Sequence, residues 1–116
     1  MKCPIDQGYG DTVAYWHDIG HAEKSQYKGY GSHEAWLKRL AHRMIGVHLH
    51  DLVGMDDHLT AGQGDMNWDT VARYLPVNVL RTCEFQNTNS PEQVADGLRW
   101  LADNGLVSQV DPGKME

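Results

Sequence analysis

Five of the seven histidines in this chain sit in two short windows, His17-Asp18-Ile19-Gly20-His21 and His48-Leu49-His50-Asp51 with His58 shortly after. Each window follows a β-like run, and a third such run ends in Cys83-Glu84. Side chains at the C-terminal ends of successive parallel strands converge on one point, which is how an α/β barrel assembles a polar site. A donor set of imidazole and carboxylate without thiolate suits Mn, Mg, Co or Zn and does not choose among them. Asp18 and His21 form a D-x-x-H turn that can offer both groups to one ion, or one to an ion and one to a substrate. The same spacing fits a strand-end turn in which Asp18 caps backbone amides. His48 and His50 share one strand face and need hydrogen bonds or a metal; core histidines satisfied by nearby carboxylates are the alternative. Glu84, at a strand exit, can hold an ion and act as acid or base, or be solvated.

The elements that must position these groups follow from periodicity. Thr12 to Trp16 is β-branched and aromatic, and predicts a strand. His17 to Gly31, with Gly20, Gly29 and Gly31, reads as a long loop. Ser32 is a candidate N-cap for a helix over Glu34 to Arg43, whose apolar stripe is Trp36, Leu37, Leu40, Ala41 and Met44. Ile45 to His50 alternates, with Ile45, Val47 and Leu49 on one face and Gly46, His48 and His50 on the other. Residues 51–67 read as a loop in which Asp56-Asp57-His58 and Gly62-Gln63-Gly64 fold over the site. The glycines are not a phosphate loop, because the lysine and the strand–turn–helix context are missing. Trp68, Val71, Ala72 and Leu75 predict a short helix stopped by Pro76, and Val79 to Cys83 a third strand. Ser90-Pro91-Glu92-Gln93 opens the last helix with a capping box, and Asn104-Gly105 closes it. Trp36, Trp68 and Trp100 are expected to pack, whereas Trp16 shares the face of Asp18 and is expected to line a pocket.

Strand–helix alternation predicts an α/β fold with parallel strands, and the long connections lie after the strands, on the side where such folds place their sites. At 116 residues the chain is one domain at most, divided here into a leader over 1–11, an α/β unit over 12–107 and a tail over 108–116. No run approaches the roughly 18 apolar residues of a spanning helix, and the N-terminus has no signal-peptide core. Cys3 and Cys83 have no CxxC spacing, so two isolated thiols point to a reducing, cytoplasmic setting. The net charge of −6, with ten scattered Lys and Arg, argues against a nucleic-acid partner.

YWHDIGHA, then IGVHLHDLVGMDDHLTAGQGDMNW, then a strand ending in Glu84, resemble the C-terminal part of the xylose isomerase-like TIM barrels. This superfamily contains sugar phosphate isomerases and epimerases, and endonuclease IV. Its pattern is D-T-G-H-A after the sixth strand, H-x-x-D after the seventh with a later G-x-G and Trp, and Glu on the eighth. The resemblance implies a partial (β/α)8 barrel of about three consecutive parallel β/α units. It makes Asp18, His48 and Glu84 the metal ligands, with Glu84 also acid or base and His21 a metal or substrate contact. His50 rivals His48 as ligand, and His58 with Asp56 resembles the extra zinc ligands of endonuclease IV. Ile19 stands where Thr is usual and Gln63 where Glu is common. A full barrel takes about 250 residues, so the chain is expected to be a C-terminal fragment.

The resemblance therefore implies a divalent-metal-dependent isomerase or epimerase of a sugar or sugar phosphate, moving a proton next to a carbonyl. The alternatives are an endonuclease IV-like zinc phosphodiesterase, and a non-catalytic fragment that pairs with itself or with the missing N-terminal part.

Overall fold

A computed structural model of the chain describes residues 13–86 and 88–108. The expected leader, Thr12 and nearly all of the expected tail lie outside the described residues. Strand β1 (Tyr15–Asp18) leads directly into helix α1 (Ile19–Tyr27), followed by α2 (His33–Leu40) and a 3-10 turn (Ala41–Arg43). Strand β2 (Met44–Leu49) precedes a hairpin of β3 (Asp51–Val53) and β4 (Asp56–Leu59). Helix α3 (Trp68–Tyr74), strand β5 (Leu80–Cys83) and helix α4 (Pro91–Asp103) complete the order.

β1, β2 and β5 form a parallel sheet in the order β1-β2-β5, as the strand–helix alternation predicts. Asp18 stands opposite His48, and His48 opposite Thr82, so the ends of the three strands lie side by side. Val47 and Leu49 are fully buried and join Ile19, Leu37, Val71 and Leu101 in one apolar cluster. On the opposite face Trp16 and Leu80 remain 41% and 64% exposed. Gly46 is flush with that face because a Cβ there would collide with the Trp16 ring.

Three expectations are corrected. His17 to Gly31 is not a loop, since α1 starts at Ile19 and its N-cap Asp18 accepts the His21 amide at 2.9 Å. Gly20 is a packing residue, not a breaker: a Cβ would run into the His50 ring. Gly29 and Gly31, at φ 88° and 113°, do end the helix. The loop over 51–67 contains the β3–β4 hairpin, turned by Gly54 at φ 60°, the first central position of a type II′ turn. Ile45 does not share the buried face of Val47 and Leu49. Tyr15 pairs with Met44 and Trp16 with Gly46, so Ile45 is the extra residue of a bulge and turns outward, 54% exposed.

Local signals elsewhere act as expected. Ser32 caps α2 by accepting the Ala35 amide. Ser90 and Gln93 exchange both capping-box bonds, and α4 ends at Asn104 before Gly105 at φ 76°. Trp68 and Trp100 pack at 5.3 Å between ring centroids, but Trp36 stands 36% exposed at the edge of α2. None of the described helices is long and apolar enough to cross a membrane.

Behind the sheet a buried chain of hydrogen bonds ties β1 to α1 and α2. Tyr15 Oη lies 2.8 Å from His17 Nδ1, His17 Nε2 2.8 Å from His33 Nε2, and His33 Nδ1 2.9 Å from Glu23 Oε1. Glu23 accepts from His33 Nδ1, so a single direction of donation, from the Tyr15 hydroxyl towards Glu23, satisfies every link. Burial, helped by neighbouring His33 and opposed by Asp18, lowers the His17 pKa to about 4.

Candidate metal centre

Asp18 is the last residue of β1, His48 the penultimate residue of β2, and Glu84 the residue just past β5. Parallel pairing alone brings them together, and their donor atoms lie within 4.8 Å of one another. His48 Nδ1 is 3.4 Å from Asp18 Oδ2 and in close contact with Glu84 Oε1. The backbone contributes here too, since the Glu84 amide donates to Leu49 O at 3.0 Å and fixes where β5 releases its last side chain.

His50 serves this trio from behind. The His58 backbone N–H donates to His50 Nδ1 at 3.0 Å, so that nitrogen holds a lone pair and the ring hydrogen sits on Nε2. Nε2 then donates to Asp18 Oδ1 at 2.9 Å. Both nitrogens are spent, which leaves His48 as the imidazole free to take an ion. Asp18 Oδ1 accepts from both His50 and the His21 amide, so Oδ2 is the oxygen presented to the centre. Burial alone would raise the Asp18 pKa, but these bonds outweigh it and hold the carboxyl well below the usual range. One imidazole and two carboxylates, oriented by a histidine behind them, form a donor set that fits a divalent cation.

The hairpin supplies the neighbouring group. Asp51 pairs with Leu59 and Val53 with Asp56, so β4 carries one residue more than β3 between these pairs. In this bulge His58 adopts φ 59°, an unfavourable conformation for a residue with a side chain. The distortion aims His58 inward: Nε2 reaches 3.4 Å from Glu84 Oε2, and the ring stacks on His50 at 4.5 Å and 13°. Asp57 Oδ1 holds His58 Nδ1 at 3.0 Å, and Lys24 of α1 holds Asp57 Oδ2 at 2.5 Å. Burial acts against ionisation of Asp57, yet Lys24 and His58 prevail and lower its pKa. Asp51, fully buried, anchors the following loop. Its Oδ1 accepts the Leu52 and Met66 amides, both at 2.9 Å, and its Oδ2 accepts the Gly62 amide at 3.0 Å and the Trp68 indole at 3.1 Å.

Of the residues singled out from the sequence, Asp18, His48 and Glu84 meet, with His50 and His58 against them. Trp16 touches His48 at 5.3 Å between ring centroids. Trp16 and the exposed His21 line a cleft that also reaches Asp18. Asp56 is not brought in: it sits exposed at the start of β4, and Asp57 is the residue that reaches His58. Asp57, Lys24 and the His17–His33 pair went unnoticed as candidates; for Lys24 no sequence signal exists, because its partner lies on a distant hairpin.

No family model matches this chain, and no curated protein or solved structure matches it either. The geometry of the site is therefore the basis for any functional reading.

Proposed function

We propose that the chain forms three consecutive units of a xylose isomerase-like (β/α)8 barrel. On this reading it carries most of the metal site of an isomerase or epimerase acting on a sugar or sugar phosphate. One observation carries the proposal: Asp18, His48 and Glu84 converge from the ends of three adjacent parallel strands onto donor atoms within 4.8 Å of each other. Parallel α/β folds place their chemistry at this rim. When bound, a divalent cation supplies polarisation of a carbonyl or hydroxyl oxygen.

The remaining work falls to the chain's own side chains. Glu84 Oε2, the oxygen turned away from His48, takes or returns the proton on carbon next to a carbonyl. His58 Nε2, 3.4 Å from that oxygen, exchanges the proton with solvent, its ring held by Asp57. His50 and the His21 amide keep Asp18 in place, and Trp16 walls the site. The open edges of β1 and β5 and the uncovered sheet face pair, in this reading, with the further strands of a complete barrel, either on a longer form of the protein or on another chain. A cytoplasmic location belongs to the same proposal.

The test is metal uptake. Titration with Mn2+, Co2+ or Zn2+ is expected to give one ion per chain, with affinity at least about tenfold weaker in His48→Ala. Equal uptake by both proteins refutes the centre. In the complete enzyme Glu84→Gln is expected to abolish turnover while substrate still binds. A second reading, endonuclease IV-like phosphodiester cleavage at several zinc ions, is favoured by the His58 nitrogen beside Glu84 and opposed by the net charge of −6. Two or more zinc ions per chain would select it.

A further inference from the structure

The cleft beside Asp18 bears on which ligand this site takes, an inference that rests on the proposed cation centre. The cleft has a volume of about 240 Å³ and is lined by Tyr15, Trp16, Asp18, His21, Ser25 and Trp36. Helix α1 places His21 and Ser25 four residues apart on one side, with the small Ala22 beside them. Among the described residues, neither the His21 ring nor the Ser25 hydroxyl has a hydrogen-bond partner, so both can bind hydroxyl groups. The indoles of Trp16 and Trp36, 41% and 36% exposed, offer apolar faces.

We infer that this cleft takes a neutral polyhydroxylated ligand, a free sugar or polyol, in preference to a phosphorylated one. Aromatic faces match the C–H face of a sugar ring, while hydroxyls and imidazole match its rim. Phosphate asks for Arg or Lys, or for free amides at a helix N-terminus. No Arg or Lys lines this cleft or the neighbouring one bounded by His58, Glu84, Phe85, Gln86 and Thr88. Lys24, on the same helix, is bound to Asp57. The N-terminus of α1 is already occupied by the Asp18 carboxylate, which repels a second anion.

The test uses protein loaded with Mn2+ and titrated calorimetrically with D-fructose, D-xylose, xylitol and D-fructose 6-phosphate. At least one neutral probe is expected to bind, and the phosphate ester no tighter than its parent sugar. Trp36→Ala is expected to weaken the sugar about tenfold at unchanged Mn2+ uptake, with Trp36→Tyr restoring most of the loss. The inference is overturned if the ester binds tenfold tighter, if none of the neutral probes binds, or if Trp36→Ala changes nothing. A protein that takes up no Mn2+ refutes the cation centre itself, before any sugar is added.

Discussion

Asp51→Asn isolates the group that shapes the loop after β2. The carboxylate is fully buried and accepts four N–H donors, two on each oxygen. Asparagine keeps one oxygen and turns an –NH2 group towards the other pair of donors. Each buried donor deprived of its acceptor costs about 1–3 kcal/mol, so the loss is about 2–6 kcal/mol. Small domains hold only about 5–15 kcal/mol in total. At roughly 4–8 °C per kcal/mol for a domain of this size, the melting midpoint should drop by about 10 °C or more. Circular dichroism and urea titration measure the global effect. Emission of Trp68, whose indole is one of the four donors, reports the local one. The exposed neighbour Asp65 serves as control, and Asp65→Asn should change stability by less than about 0.5 kcal/mol. A loss under about 1 kcal/mol in Asp51→Asn would show that water or rearrangement replaces the missing acceptor, and the account of the loop would be wrong.

Gly20→Ala should force the new methyl against the His50 ring, costing about 1–3 kcal/mol and loosening the bond to Asp18, so that Co2+ affinity falls together with thermal stability. A variant with wild-type Co2+ binding would separate His50 from the centre. Acid should weaken the fold through His17: its pKa falls from 6.5 to about 4 on folding, so the unfolded chain binds the proton first. The stabilisation is complete above about pH 6.5 and is lost as pH falls through about 4, amounting to about 3 kcal/mol at most at ~1.4 kcal/mol per unit. Asp18, held below the usual carboxylate range, loses its contribution only further down. Urea midpoints measured from pH 7 to 4 should fall in wild type and flatten in His17→Gln; parallel curves would refute the assignment.

The strand order and the triad were legible because each rests on short-range signals. Val47 and Leu49 alternate with His48, and Ser90 to Gln93 spells its own cap. Once strands are parallel, the residues at their ends must be neighbours, so Asp18, His48 and Glu84 could be grouped by counting. What stayed hidden depends on contacts between distant segments. Gly20 looks like a breaker until His50 is seen pressed against it. His48 and His50 are equivalent in sequence, and only an amide from the hairpin decides which ring is free. Asp51 could as well have been a ligand, because nothing local announces the four amide and indole hydrogens that surround it. The bulges that turn Ile45 out and His58 in leave no trace in composition.

The locking of His50 and Asp18 has a consequence for how such a protein would live with its ion. Both ring nitrogens and one carboxylate oxygen are engaged by the polypeptide itself, so the cage keeps its shape whether filled or empty. Folding and loading are then separate events, unlike in domains that collapse only around their metal. Repeated stripping with a chelator and refilling should leave the fold intact, and the occupant would be set by whichever divalent ion the surroundings supply.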